Sequence, residues 1–352
     1  LLSKKGKKMN VAIIGCGSIA RQRHAYEYSL NKDVKIVGFF DYVESRAKEM
    51  AKEFNAKVYP TLESLLEDKN VDSVSVCVAN RFHSDITIKA LRSGKNVLCE
   101  KPMATNLEDC IRMVEEAEKA KKHLLIGQNQ RLTPAHRKAK ELISSGKMGK
   151  TIAFSTMFCH GGPESWCVDK SKNTWFFKKD SAQFGSMADL GIHKIDLMRY
   201  LIGSDIEGVY SEMCVLDKTF EDGSPIEVDD NSVEILKFKN GAFGTVTTSW
   251  TCYGTEYNQS NIFCQNGVLK LYSDPEYSLI IDYRDGREEK LSLDRIQTNS
   301  DKQMATSGVI DEFVSAVSED RKSILDASDV IESMKAVFAC ERSFKNKREE
   351  KV

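Results

Sequence analysis

The six residues GCGSIA, at 15–20, lie between an apolar run that reads as a β-strand, NVAIIG (10–15), and the start of a helical pattern. Few folds place glycines in this way. Gly15 permits a tight turn out of the strand, and Gly17 lets the backbone approach an anion. The helix N-terminus beyond them offers unpaired N–H groups and the positive end of its dipole. Ala20 takes the third glycine position, which requires only close helix packing. A second apolar run, VKIVGFF (34–40), ends at Asp41, where a carboxylate accepts hydrogen bonds from a ribose. The expectation is a dinucleotide site lined by Gly15, Cys16, Gly17, Ser18, Ile19 and Asp41. Because the Asp41 charge repels a 2′-phosphate, NAD is expected over NADP. Arg46, one helical turn further on, can counter such a phosphate and joins the cofactor-side candidates.

Strand and helix continue to alternate as far as residue 130. In 44–54, Ala47, Met50, Ala51 and Phe54 repeat at helical spacing. VDSVSVCV (71–78), NVLCE (96–100) and HLLIG (123–127) read as further strands. Gly94 stops one helix, and Asn106 caps the next, whose apolar stripe is Cys110, Met113, Val114 and Ala117. Successive β-α units of this length impose parallel pairing with right-handed crossovers, which is a doubly wound α/β sheet.

The pattern changes after about residue 150. Strand pairs turn at Asn240-Gly241, Asn266-Gly267 and Asp285-Gly286, dipeptides that tolerate the positive φ angles of tight hairpins. The second domain is therefore expected to be α+β, a large and mostly antiparallel open sheet with helices on one face. Closing helices are expected near 305–319 and 327–345. The domains are placed at 9–130 and 131–352, with a closing helix able to pack back on the first.

With 352 residues, 41% hydrophobic and 29% charged, the chain has the composition of a globular protein of about two domains. A formal net charge of -1 argues against nucleic acid and anionic membrane as partners. The basic run Lys4, Lys5, Lys7, Lys8 reads as a disordered leader ahead of Met9. No apolar run approaches the ~18 residues of a spanning helix, and no secretion signal opens the chain, so a cytoplasmic location is expected. Among ten cysteines there is no CxxC pair; Cys16, Cys77 and Cys99 read as reduced core thiols, and no metal site is expected.

Two further motifs carry chemistry. NVLCEKPM (96–103) sets Lys101 directly after a strand, between Glu100 and Pro102. In SMADLGIHKIDLMRYLIG (186–203), Asp189, His193 and Asp196 fall at i, i+4 and i+7, one face of a helix, and an acid beside a histidine can fix its tautomer. Asn80, Lys101 and Gln128 all follow strand ends, the side of a parallel sheet where ligands lie.

The order GCGSIA, Asp41, ANRFHSD (79–85), GKNVLCEKP (94–102) and DLGIHKID (189–196) resembles the glucose-fructose oxidoreductase, inositol dehydrogenase and rhizopine-catabolism family, written Gfo/Idh/MocA. The resemblance covers nearly the whole chain. It implies a nicotinamide-dependent oxidoreductase of sugars, cyclitols or their derivatives. Carried over by position, Lys101 matches the lysine that touches cofactor and substrate, and Asp189 and His193 match the remaining catalytic pair. Ala79, Asn80 and His83 match the loop beside the nicotinamide, and Glu100 matches a residue orienting its ribose. Ala79 stands where many members have threonine or proline, and FGS (184–186) replaces a glycine-rich run. The resemblance also implies a homodimer or homotetramer built through the second sheet.

Oxidising a secondary alcohol moves a hydride to the nicotinamide while the hydroxyl proton leaves to a base. Histidine, with an ordinary pKa of ~6.5, suits neutral pH better than lysine at ~10.4. His193 is thus read as acid/base, Asp189 as its orienting partner, and Lys101 as the group holding the reacting oxygen. His160, Trp166 and Trp175 are the sugar-pocket candidates in the second domain. Two other activities remain open from sequence: an NAD-using glycosidase working through transient oxidation, and a non-catalytic NAD- and sugar-binding regulator.

Overall fold

The computed structural model describes residues 8–295 and 306–352. Lys4, Lys5 and Lys7, and the first residue of the helix expected from 305, lie outside them. The chain forms two compact units. One comprises the described residues up to Gly127 together with the segment ending at Asp329; the other starts at Gln128 and resumes at Val330.

The first unit is built on six parallel strands: β1 (Met9–Ile14), β2 (Val34–Phe40), β3 (Lys57–Val58), β4 (Ser73–Val76), β5 (Asn96–Cys99) and β6 (Leu124–Ile126). Their spatial order is β3-β2-β1-β4-β5-β6. The order reverses direction at β1, the switch point where such sheets bind ligands beyond their carboxyl ends. All six residues of β1 are buried, as expected of a strand covered on both faces. The helix after the glycine turn opens with a π-helical segment, Ala20–Ala25, before continuing as Tyr26–Leu30. Helix Leu107–Ala120 starts where expected, with the Asn106 side chain accepting the Asp109 amide at 2.8 Å. Late in the chain, helix Val309–Glu319 joins this unit, and the Ile126 amide donates to the Leu325 carbonyl at 3.0 Å.

The second unit holds nine strands: β7 (Thr151–Cys159), β8 (Ile206–Cys214), β9 (Asn231–Phe238), β10 (Phe243–Ser249), β11 (Tyr257–Cys264), β12 (Gly267–Leu271), β13 (Leu279–Tyr283), β14 (Glu288–Leu291) and β15 (Glu350–Lys351). They lie in the order β14-β13-β12-β11-β7-β10-β9-β8-β15. Every pairing is antiparallel except β7 with β10. The three expected hairpins form; Asn240-Gly241 and Asp285-Gly286 lie in their turns, whereas the middle turn is Gln265-Asn266, one residue earlier than expected, because Gly267 already pairs with Cys264 as the first residue of β12. Strand alternation gives the sheet two faces. Phe154, Phe158, Val246 and Leu236 point into the core, whereas Tyr210, Val233, Ile235, Phe243, Tyr257 and Phe263 are exposed on the other side.

Candidate active site

On the nucleotide unit, Gly15 has φ +90, and a Cβ there would lie 2.4 Å from the Cys77 carbonyl oxygen, so only glycine fits between β1 and the end of β4. Nothing stands within 4 Å of where a Gly17 Cβ would be, which leaves the backbone open to a ligand. Ser18 and Ile19 are half-buried at the helix entrance. Asp41 braces this turn: one carboxylate oxygen accepts the Cys16 amide at 2.7 Å, and the other accepts the Val43 amide at 2.7 Å. Burial, reinforced by the Asp41 charge, pushes the Cys16 thiol up to about 12, so it is an inert packing group and its backbone amide is the useful part. Arg46 is half-buried in the helix beyond Asp41.

Lys101 is half-buried and joined to Pro102 by a cis peptide. Its neighbour Glu100 is turned inward. One carboxylate oxygen lies 2.9 Å from His24 Nε2 and 3.5 Å from an Arg23 guanidinium nitrogen, and the other accepts the Lys101 amide at 3.2 Å. Burial raises the Glu100 carboxyl, but the His24 hydrogen bond and the Arg23 charge outweigh it and hold the group well below the usual carboxylate range. Glu100 is therefore ionised, and His24 Nε2–H donates to it. His83 lies within hydrogen-bond distance of two backbone carbonyls, Nδ1 with Pro102 at 2.7 Å and Nε2 with Val78 at 3.0 Å, and so ties the loop after β4 to the segment after Lys101. Burial lowers its pKa, opposed by the two backbone carbonyls. Ala79 is half-buried and Asn80 buried in the same loop.

Gln128 begins the second unit. It is 1% exposed, and neither amide atom has a hydrogen-bond partner among the described residues. A buried, unpaired amide is expensive unless a ligand completes it.

In the second unit, Asp189 sits in a π-helical turn, Met187–Gly191, and His193 in the α-helix Ile192–Ile202 that continues it. Both are buried, at 8% and 6% exposure. The turn is held from below by Asp229, which accepts the Gly185 amide, the Met187 amide and the Ser186 hydroxyl, each at 2.8 Å. Gly185 presses against the same residue: a Cβ there would be 1.8 Å from the Asp229 carbonyl oxygen. Ser186 in turn accepts from Thr248 at 2.9 Å, and the Thr248 hydroxyl lies 2.7 Å from that of Ser232, so β9 and β10 anchor the start of the helix. The second acid of the expected triple does other work. Asp196 receives Arg131 in bidentate fashion at 2.7 and 2.5 Å and the Ser333 hydroxyl at 2.8 Å, all buried, which makes it a packing tie.

His160 and His193 flank Phe158, each ring 6.0 Å from it. His160 Nδ1 accepts the Gly162 amide at 2.9 Å, and its Nε2 lies 3.5 Å from an Asp189 carboxylate oxygen. That oxygen also accepts the Trp250 indole N–H at 3.1 Å. From His160 an aromatic file runs through Trp166 (6.3 Å) to Phe176 (5.2 Å), with Trp175 stacked on Phe176 at 3.8 Å. Trp166, Trp175 and Phe176 are all half-buried. The sequence reading named His160, Trp166 and Trp175, which the structure places in this file, and did not name Trp250, Phe176, Asp229 or His24. Trp250 alone left a usable trace, because it shares the inward parity of Val246 and Thr248 in VTTSW.

Comparison with known proteins bears on both units. Residues 9–128 match the model of the oxidoreductase family with an NAD-binding Rossmann fold, and residues 136–270 match that of the GFO/IDH/MocA C-terminal domain. The chain belongs to the Gfo/Idh/MocA oxidoreductases. Myo-inositol 2-dehydrogenase of Thermotoga maritima is 32% identical over 68% of this chain and 68% of its own. Glucose-6-phosphate 3-dehydrogenase of Bacillus subtilis is 32% identical over 68% and 67%. A levoglucosan dehydrogenase solved with NADH and levoglucosan superposes with a TM-score of 0.86 at 21% identity, over 98% of this chain and 99% of that one, and shares the fold. This Gfo/Idh/MocA protein is thus an NAD-binding enzyme of the class acting on CH–OH groups. The open Gly17 backbone and the Asp41 carboxylate, both on the first unit, fit such a cofactor.

Proposed function

We propose that this enzyme transfers a hydride between NAD and a secondary hydroxyl, or the corresponding ketone, of a sugar, cyclitol or sugar derivative. The observation carrying this reading is the buried Asp189, held by an indole N–H and faced by His160, four residues before His193. Bound NAD supplies the hydride acceptor. His193 takes the proton from the reacting hydroxyl and returns it in the reverse direction, and Asp189 orients the substrate hydroxyls. Lys101 donates to the reacting oxygen. Glu100, fixed by His24, sets the backbone from which Lys101 projects. Trp166, Trp175 and Phe176 offer ring faces and edges to the C–H surface of a sugar, the usual apolar complement to its hydroxyls.

Gly15 to Ile19, Asp41, Arg46, Ala79, Asn80, His83 and Gln128 are assigned to the cofactor. The ten free thiols suit a reducing, cytoplasmic setting. We further assign the exposed face bearing Tyr210, Val233, Ile235, Phe243, Tyr257 and Phe263 to a second copy of the chain, since a broad apolar sheet face is costly to leave wet. Sedimentation of Phe243→Glu and Ile235→Glu checks this: a fall in mass is expected, and an unchanged mass refutes it.

The deciding experiment screens purified protein for NADH formation across inositols, free aldoses and glycosides. It includes Lys101→Met and His193→Ala, which should bind NAD while losing turnover by at least about a hundredfold. Wild-type turnover in both variants overturns the assignment, and sugar release without net NADH points instead to glycoside cleavage.

A further inference from the structure

We propose that Trp250 is a positioning residue for Asp189, with His160 as a second arm on the same carboxylate oxygen. This rests on the reading of Asp189 and His193 as the substrate-binding and proton-transfer pair.

Trp250 directly follows β10, in the parity of its inward row, and is fully buried. Its backbone is fixed by an amide hydrogen bond to the Asp230 carbonyl at 2.7 Å. Its ring lies in the core cluster of Phe158, Phe177, Leu190, Ile226 and Val228, with the Phe177 ring 5.8 Å away. The indole therefore has one orientation, and its N–H meets an Asp189 oxygen at 3.1 Å. An indole nitrogen only donates and does not titrate, so this bond holds Asp189 in place at any working pH. The second arm is defined by its other end. His160 Nδ1 accepts the Gly162 amide, so the ring proton sits on Nε2, which faces the same Asp189 oxygen at 3.5 Å. The Trp250 hydrogen bond, with the His160 N–H facing the same oxygen from 3.5 Å, stabilises the carboxylate over the acid and fixes the plane in which Asp189 meets a substrate hydroxyl. Anchoring by the cluster makes the arrangement preformed, as precise positioning requires.

Trp250→Phe removes the N–H and keeps an aromatic ring in the cluster. In a folded variant kcat should fall about tenfold, the value for one lost hydrogen bond to a charged group, with KM for NAD unchanged. Independently of turnover, the carbon-13 signal of the Asp189 carboxyl, assigned with Asp189→Asn, should titrate at higher pH in the variant than in wild type. A purely structural Trp250 would lower the melting temperature and leave that titration where it is. Should phenylalanine not support folding, benzothienylalanine at 250, which exchanges N–H for sulfur in nearly the same volume, gives the same readout. His160→Gln, which retains an N–H donor, should shift the carboxyl titration less than His160→Ala. An unchanged carboxyl titration overturns the proposal. A shifted carboxyl titration in an enzyme with no NAD-dependent turnover on any polyol supports the positioning and refutes the functional reading beneath it.

Discussion

Asp229 accepts the Met187 amide at 2.8 Å, two residues before Asp189, and so caps, from a different strand region, the turn that carries Asp189 and leads into the helix of His193. Burial drives its carboxyl from 3.8 up to about 6, against the bonds from Gly185, Met187 and Ser186. A raised folded pKa means the native state holds this proton more tightly than the unfolded chain. Stability from this group is complete below pH 3.8 and lost as pH rises to about 6, a change of about 3 kcal/mol. Urea unfolding of wild type and Asp229→Asn at pH 4, 5, 6 and 7 should show the wild type losing stability relative to the variant across that window. Asp229→Ala, which strands the two amides, should be less stable by about 2 kcal/mol or more at every pH and lose most turnover.

The nucleotide unit was legible because buried parallel strands read as continuous apolar runs, and each β-α unit constrains its neighbour locally. The hairpins at Asn240-Gly241 and Asp285-Gly286 were legible for the same reason, since dipeptide chemistry sets the turn, and the middle one was legible to within one residue. What stayed hidden depends on partners far along the chain. The β7–β10 pairing is parallel, so no turn announces it. Asp196 looked like a flank of His193 because helical spacing cannot show that Arg131 reaches it from 65 residues away. The Trp250–Asp189 and His24–Glu100 bonds span 61 and 76 residues. The π-helical turn at Asp189 likewise has no periodic signature.

Lys194, next to His193, is fully buried, with its ammonium nitrogen 3.5 Å from the Ser260 hydroxyl and 5.8 Å from the Phe158 ring centroid. Burial lowers its pKa from 10.5 to about 7, opposed by Cys159 and Glu256. With the folded pKa depressed, the unfolded chain binds the extra proton between pH 7 and 10.5, so stability rises with pH across that range. The full penalty, on the order of 5 kcal/mol, applies below pH 7. Lys194→Met should therefore raise the melting temperature by several degrees at pH 6 and by much less at pH 10, read by calorimetry at both.

Removing the Glu100 charge should act on both stability and turnover. Glu100→Gln leaves Arg23 and His24 facing a neutral amide in a buried site, a loss on the order of 3 kcal/mol at pH 7. Because the folded carboxyl is held below 4.5, its contribution is present above that pH and lost as pH falls below it. Wild type and variant should thus converge in stability in acid, as followed by circular dichroism between pH 3 and 7. The Lys101 amide also loses its charged acceptor, so turnover should fall while NAD affinity changes little; equal loss in both would place Glu100 on the cofactor instead.

Asp41 has two tasks that substitution can separate. It braces the glycine turn through the Cys16 and Val43 amides, and its charge disfavours a 2′-phosphate. Asp41→Ala removes both, and titration calorimetry should show NAD binding weakened by tenfold or more, about 1.4 kcal/mol. NADP loses the brace but is relieved of the repulsion, so its affinity should fall less or rise, and the NAD:NADP ratio should contract. Asp41→Ala with Arg46→Ala then isolates the guanidinium: if Arg46 counters the phosphate, NADP binding should drop again while NAD binding stays where the single variant left it. An NAD:NADP ratio unchanged by Asp41→Ala would mean that the carboxylate serves the turn alone.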